Sequence, residues 1–412
     1  MKNNKLHPLV YSVIIGTFFA RLSTSMSMPF LAVYLTATKH ISPSITGMII
    51  GVSALVGVLT GFIGGHLSDR LGRKAIMLSS LLLWILVFCG FAFADSIWAF
   101  FVCNAMNGAC KSFFEPSSRA LMSEYTSKEN KLKVFNLRYT AINVGVVLGP
   151  ILGLQLGRSS LTIPFLGTAA MYVLYGIALL IVFSKYGEKK SKEHQQAIIV
   201  PSTFKQSMHT ISMDKILLFT LMGMICGNIG YSQFSSTLPQ YLSGSDAFVD
   251  GVTIYGYMMS LNAVTVIVLQ YPLLRIGKTY SALTSILLGV ILTGTSLFGL
   301  AFISHTWSLI VCTIVFTAGE ILIFTMTDFF VDEMSPPDKK GLYFGALSFT
   351  SVGQVAGPSI GGFLLSFLSA ENMSFTFIII GFITLAGCLF ILSAKKVQAR
   401  KEEKGGSIQI NA

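Results

Sequence analysis

Long apolar stretches alternate with short polar segments along the whole chain. About 20 consecutive apolar residues cross the hydrocarbon core of a bilayer as an α-helix. Backbone polar groups in lipid must be satisfied inside the segment, so a bundle of helices is the economical fold. Stretches of sufficient length predict twelve helices, over residues 9–36, 44–66, 75–94, 97–122, 134–157, 162–184, 216–242, 251–271, 280–303, 306–333, 342–369 and 373–394. The expected fold class is therefore an all-α polytopic membrane protein.

Composition excludes the main alternatives to a membrane protein. Hydrophobic residues make up 53% of the 412 residues and charged residues only 11%, whereas soluble domains are about 25% charged. A soluble enzyme and a disordered chain are therefore excluded. The six cysteines all lie inside predicted helices without a CxxC pair. We interpret them as small buried apolar residues and expect no metal site.

The net charge of +11 marks one side of the membrane. With the N-terminus inside, the inner segments carry 23 lysines and arginines, whereas the outer loops carry only Lys39 and Arg158. This positive-inside bias predicts that both termini are cytoplasmic, in the plasma or inner membrane. The basic residues are spread over seven inner segments and do not form one concentrated face, so we expect no nucleic-acid partner.

The chain divides into two similar halves. The longest polar segment, 185–215, separates a six-helix half at 1–184 from a six-helix half at 216–394, with a cytoplasmic tail at 395–412. The sequence GVVLGPILG, which starts at Gly145, recurs 208 residues later as GQVAGPSIG. Halves repeated in this way are typical of secondary transporters, which bind substrate near the bilayer midplane.

The segment after the second predicted helix carries the most specific motif. It reads GHLSDRLGRK and resembles, at every defined position, the loop 2–3 signature G-x-x-x-D-R-x-G-R-[RK] of the major facilitator superfamily. The resemblance covers the whole chain and implies a pseudo-symmetric transporter of the twelve-helix drug:proton antiporter type. In that family the loop latches the outward-facing state together with an acid at the inner end of the fourth helix. The corresponding residues here are Gly65, Asp69, Arg70, Gly72, Arg73, Lys74 and Glu124.

Three further positions of the chain can be compared with the family pattern, and two of them depart from it. The second copy of the loop has Leu274 where the first has Asp69, so we expect it to be the weaker latch. Family members usually carry an arginine in the fourth helix four residues before a glycine, but here Asn104 holds that position; Arg21 is the hypothetical replacement. The fifth helix resembles the antiporter signature G-x-x-x-G-P-x-x-G. By resemblance its motif residues pack against the other half and seal against leak: Gly145, Gly149, Pro150 and Gly153.

A few ionisable residues remain inside the predicted spans, where charge is costly and usually functional. The mechanistic candidates among them are Arg21, Lys111, Glu115, Arg119, Glu320 and Asp328. Helix geometry places the polar residues of the fourth predicted helix in one stripe. The family lines its substrate cavity with the first, fourth, seventh and tenth helices. The predicted cavity residues are Arg21, Asn104, Asn107, Lys111, Glu115, Asn228, Tyr231, Gln233, Tyr255, Asn262 and Glu320.

Proton coupling is assigned to acids in these spans. Glu320 is the first candidate because burial favours its neutral form, so that protonation and substrate can compete. Glu115 is the second, together with Arg21. An alternative stays open for Glu115, namely a permanent structural ion pair with a neighbouring cation. Asp332 and Glu333 are interpreted as solvated acids of the inner face.

These features predict a secondary transporter that exports small amphipathic compounds or drugs against protons and so confers antibiotic resistance. No GxxxxGK[ST] loop occurs, so a proton gradient is expected to drive transport, with no ATP and no cofactor. The expected partners are a lipophilic small molecule, protons and membrane lipids, and the protein is expected to be a monomer. The alternatives are an exporter or importer of a metabolite, sugar, lipid or anion, and a non-transporting membrane sensor. The sequence contains no cluster of catalytic residue types that would indicate an enzyme.

Overall fold

The computed structural model describes residues 6–41, 43–157, 160, 162–186, 204–244, 251–303, 305–368 and 373–409, and these contain helices and no strand. Residues 187–203 of the expected linker, the end of the tail at 410–412, and Arg158 lie outside the described residues. The helices are α1 (Pro8–Val33), α2 (Pro43–Leu71), α3 (Arg73–Phe93), α4 (Ile97–Glu124), α5 (Lys131–Gly157), α6 (Ile163–Tyr186), α7 (Phe204–Met213), α8 (Lys215–Gly244), α9 (Gly251–Thr279), α10 (Ala282–Ala301), α11 (Thr306–Met334), α12 (Lys340–Ala346), α13 (Ser351–Phe367) and α14 (Phe375–Gln409).

Ten of the described helices are long and apolar enough to cross a membrane. Two further helices complete the bundle. Helix α4 is 28 residues long and carries three charges in its middle, and α13 has 17 residues. With these two the described residues contain ten to twelve candidate transmembrane helices, and the expected all-α polytopic fold class is confirmed. Helices α7 and α12, of 10 and 7 residues, are short additional elements.

The region predicted as the eleventh helix, 342–369, is where the structure differs most from the prediction. The structure divides this region into α12, a 3₁₀ segment at Leu347–Thr350 and α13. Helix α12 lies directly against α2: a Cβ added to Gly341 would be 2.6 Å from the carbonyl oxygen of Gly65. Helices approach this closely only where small residues face each other. The break therefore separates a short segment packed on α2 from the membrane-spanning segment.

The chain forms two compact units. Unit 1 comprises Met1–Ser207 and Asp332–Ser348, and unit 2 comprises Met208–Val331 and Phe349–Ala412. The sequence predicted one division, at the 185–215 linker. The structure also groups the inner end of α11 and all of α12 with the first half, because polar groups in this segment bond to α2, α4 and α5.

Each unit has its own aromatic core. In unit 1 the Trp84 ring stacks on Tyr172 at 4.9 Å between ring centroids. In unit 2 Phe316 stacks on Phe234 at 4.8 Å and also on Tyr231 at 6.1 Å. Stacked aromatic pairs contribute beyond their buried area. These cores hold the helices that carry the charged groups described below.

Candidate functional site

Five charged residues meet in the interior of unit 1, and we call them the Glu115 cluster: Arg21, Lys111, Glu115, Arg119 and Arg138. The guanidinium groups of Arg21 and Arg138 each donate to one oxygen of the Glu115 carboxylate. Nη2 of Arg119 lies 4.0 Å from the same carboxylate. Arg138 is only 3% exposed. Three guanidinium groups thus surround one acid, which favours the ion-pair interpretation of Glu115.

Close helix packing brings this cluster together. A Cβ added to Gly149 of α5 would lie 2.6 Å from the carbonyl oxygen of Leu22, and one added to Gly153 would lie 2.2 Å from that of Met26. A Cβ at Gly145 would lie 3.0 Å from the Cβ of Arg21. The three glycines therefore let α5 lie directly on α1. The atoms nearest to all three glycines belong to α1 of the same unit, and the contact with the other half that the family resemblance implies stays a prediction.

The two asparagines of α4 have packing roles. Asn104 is fully buried and donates to the carbonyl oxygens of Ile49 and Ile50 on α2, at 2.7 and 3.1 Å. Asn107 accepts a 2.8 Å hydrogen bond from the indole nitrogen of Trp84 on α3. Both therefore join α4 to neighbouring helices. Asn104 offers no accessible surface to a substrate in this structure.

Glu320 occupies a different environment in unit 2. It is 4% exposed, and its carboxylate accepts a 2.9 Å hydrogen bond from the side-chain amide of Asn262. The same amide nitrogen donates to the hydroxyl of Thr317 at 2.9 Å. The phenol of Tyr231 also interacts with Glu320, and its ring packs at 4.8 Å on Phe324. We call Glu320, Asn262, Thr317 and Tyr231 the Glu320 site.

The other predicted cavity residues of unit 2 make contacts of their own. Asn228 is buried and donates to the carbonyl oxygen of Thr350 at 3.1 Å. Gln233 is buried and donates to the carbonyl oxygen of Ile229, one turn earlier, at 2.6 Å. Tyr255 is half-buried, with its ring 6.4 Å from that of Phe234. Tyr231 and Asn262 therefore reach Glu320, whereas Asn228 and Gln233 satisfy backbone groups.

The loop signature forms a closed network in unit 1. The carboxylate of Asp69 accepts hydrogen bonds from the backbone N–H groups of Gly341 and Leu342, at 2.9 and 2.7 Å. Arg73 pairs with Asp69 at 2.5 Å and with Glu124 at 2.7 Å. Asp69 thus caps the first turn of α12, a contact that the helix dipole favours. The motif therefore ties the inner ends of α2, α3 and α4 to a segment from the second half of the sequence.

The remaining signature residues divide by role. Gly72 has a φ of +88°, a backbone conformation that glycine adopts at no steric cost. A Cβ added to Gly65 would be 2.1 Å from the carbonyl oxygen of Gly341. Arg70 and Lys74 are exposed. Two glycines therefore shape the turn and the contact, and the two exposed cations flank the turn between α2 and α3.

The sequence matches the family model of the Major Facilitator Superfamily over residues 13–351 and 251–410. The chain belongs to the major facilitator superfamily. It is 43% identical over 390 residues to the "Uncharacterized MFS-type transporter YqjV" of Bacillus subtilis, with 94% of each chain covered. A "Na(+), Li(+), K(+)/H(+) antiporter" of Planococcus maritimus is 26% identical, covering 92% of this chain and 94% of that protein. The "Quinolone resistance protein NorA" of Staphylococcus aureus is 22% identical, covering 96% and 98%.

This superfamily member is therefore a multi-pass membrane transporter and not an enzyme, as the sequence predicted. Transporters of the superfamily carry small molecules, which agrees with the expected class of partner. In the part of the chain that the structure describes, no group of His, Cys, Asp or Glu could hold a metal ion.

The transporter contains a second buried network that sequence reasoning missed. Asp332, expected to be a solvated acid, has a side chain with no exposed surface. It pairs with Lys131 and Lys340, each at 2.5 Å, and accepts from the hydroxyl of Ser123. The interpretation of Asp332 was wrong because its basic partners lie at the starts of α5 and α12. Its neighbour Glu333 is exposed.

Two signals in the sequence point to the missed residues. Asp332 follows Glu124 by 208 residues, the same offset that relates the two Gly-Pro motifs, so the repeat pairs the two acids. Arg138 lies just inside the predicted helix 134–157. A census of every charge inside a predicted helix would have added it to the candidates.

Proposed function

We propose that this transporter exports small amphipathic compounds in exchange for protons, by alternating access, with both termini on the cytoplasmic side of the cell membrane. The names of two relatives support parts of this function. One is a cation/H(+) antiporter and the other a quinolone resistance protein. The antiporter-like motif in α5 supports the outward direction, and the positive-inside bias supports the orientation.

The observation that carries the proposal is the set of partners around Glu320. Amide and hydroxyl groups can both donate and accept hydrogen bonds. Asn262 and Tyr231 can therefore satisfy Glu320 as a carboxylate and as a carboxylic acid, while Thr317 accepts a second hydrogen bond from Asn262. A carrier must be stable in both protonation states during one cycle. We assign proton exchange to Glu320 and a structural ion pair to Glu115, with Arg21 positioning that pair.

The proposed cycle links this exchange to the latch at the inner face. A proton from outside binds Glu320, and the substrate leaves outward. The Asp69, Arg73 and Glu124 contacts then break as the inner side opens. Substrate enters from the cytoplasm and Glu320 releases its proton there. The latch contacts form again as the inner side closes, so the latch controls switching between states and makes no contact with substrate.

The test uses Glu320→Gln in inverted membrane vesicles. Amphipathic carboxylates, neutral amides and cations are screened for collapse of a preset proton gradient, and flux is followed for each compound that scores. The variant should bind substrate but lose gradient-driven flux, because glutamine cannot carry a proton. Glu333→Gln removes an exposed acid from the same helix and should keep the flux. Normal gradient-driven flux in Glu320→Gln would contradict the assignment.

A further inference from the structure

Basic residues outnumber acids in the Glu115 cluster. Four of its members are basic and one is acidic. Helices α1, α3, α5 and α6 contain no aspartate or glutamate, and α2 contains only Asp69, at its inner end. Asp69 is bonded to Arg73 and to α12. No other acid in these helices is therefore available at the depth of Glu115.

Lys111 is the cation that Glu115 does not hold. Both carboxylate oxygens of Glu115 accept from guanidinium groups, one from Arg21 and one from Arg138. Lys111 forms no salt bridge or hydrogen bond with any residue that the structure describes, although it lies within electrostatic range of Arg21 and Glu115. Its side chain is exposed, whereas its neighbours Cys110 and Ser112 are buried. Part of the Lys111 surface is therefore accessible to a solute.

A surplus cation at this depth has an energetic cost. A charge within the span is unfavourable by several kcal/mol, and nearby like charges raise that cost in a medium of low dielectric constant. The side chain lies on the polar stripe of α4, within electrostatic range of Arg21 and Glu115. An anion that binds there would give the Lys111 ammonium a directly bonded opposite charge.

We propose that Lys111 binds an anionic group of the transported compound, so that the substrates are amphipathic organic anions such as carboxylates. This inference rests on the proposed transport function and names its substrate class. Arg21, whose side chain is 24% exposed, lies next to Lys111 and adds positive potential. Lys111 provides the direct contact and is a specificity-determining residue.

The test measures binding to the full-length purified protein in neutral detergent. The probes are benzoate, 1-naphthoate and decanoate, each with its uncharged amide, and tetraphenylphosphonium as a lipophilic cation. Wild type should bind at least one carboxylate about tenfold or more tightly than its amide, the strength expected of a charge-assisted contact. Lys111→Gln should lose this preference and Lys111→Arg should keep it. Lys128→Gln, which removes an exposed lysine outside the cluster, should behave as wild type.

A parallel measurement adds phosphatidylglycerol, because a lipid headgroup is also an anion. The inference is overturned if no carboxylate binds more tightly than its amide, if tetraphenylphosphonium binds best, or if Lys111→Gln keeps the preference. It is also overturned if only phosphatidylglycerol depends on Lys111. Binding needs no gradient, so a carboxylate preference without proton-driven flux would refute the proposed coupling and leave the substrate class standing.

Discussion

Glu115 and Glu320 are both acids in the middle of a membrane-spanning helix, but their surroundings differ. Glu115 accepts from two guanidinium groups, and a third is 4.0 Å away. Glu320 accepts from the amide of Asn262 and interacts with the phenol of Tyr231. Guanidinium groups only donate hydrogen bonds, whereas amides and phenols donate and accept. The first environment suits one protonation state, and the second suits both.

The difference teaches how burial and function are related in this chain. An acid within the bilayer is a functional candidate simply because placing a charge there costs free energy. That argument treats Glu115 and Glu320 alike, because it considers only the acid. The chemistry of the partners distinguishes them. In unit 1 the acid holds α1, α4 and α5 together, and in unit 2 the acid keeps partners that tolerate a change of charge.

The largest expected effect is the loss of stability in Glu115→Gln. Removing one partner of a buried ion pair costs about 3–5 kcal/mol, because the remaining charges stay buried without compensation. Glu320→Gln should cost about 1 kcal/mol or less, since glutamine can still bond to neutral groups. Unfolding of the purified variants by a denaturing detergent measures both free energies. A greater loss in Glu320→Gln than in Glu115→Gln would reverse the comparison.

The double variant Glu115→Gln with Arg138→Gln is the control for this result. Residues in direct contact couple by about 0.5–3 kcal/mol. The double variant should therefore lose less stability than the sum of the two single variants. Additive losses would mean that Glu115 stabilises the helices by some other contact.

Much of this architecture could be predicted from sequence because it rests on local patterns. Apolar length predicts the membrane helices, and the loop signature predicts the family. The loop glycines also follow from the motif, as the φ of +88° at Gly72 illustrates. These features depend on residues close together in the sequence, so one sequence contains the necessary information.

The partners of the buried acids could not be predicted in the same way. Arg138 is 23 residues from Glu115, and Lys131 is 201 residues from Asp332. Such contacts depend on which helices pack together and at what distance. Lys340 lies just before the predicted helix 342–369. It is eight residues from Asp332, and the short turn between α11 and α12 brings the two side chains together.

Gly149→Ala is expected to have an intermediate effect. The added methyl would lie 2.5 Å from the Cβ of Ser25 and 2.6 Å from the carbonyl oxygen of Leu22. Overpacking of this kind costs about 1–3 kcal/mol. The variant moves α1, which carries Arg21, so its loss should be less than additive with that of Glu115→Gln.

The matched control is Gly176→Ala in α6, where an added Cβ meets nothing within 4 Å. Alanine favours helix over glycine by about 1 kcal/mol, so this variant should be as stable as wild type or more so. If the two glycine variants are equally stable, close packing of α5 on α1 does not support the ion pair. The comparison between the two units would then rest on the partners of Glu115 alone.

The smallest expected effect concerns Asn262, the neutral partner of Glu320. Asn262→Ala removes the hydrogen bonds to Thr317 and Glu320; the bond to Glu320 is worth about 1 kcal/mol, which corresponds to about a fivefold change in an equilibrium constant. Gradient-driven flux in vesicles should fall by about this factor while substrate binding persists, because one protonation state of Glu320 becomes less favourable. Asn104→Ala is the counterpart in unit 1. Asn104 joins α4 to the backbone of α2. That variant should therefore lose stability and keep the number of protons exchanged per substrate molecule. If Asn262→Ala instead lowers stability and flux together, Asn262 holds helices as Asn104 does, and the Glu320 site is no more adaptable than the Glu115 cluster.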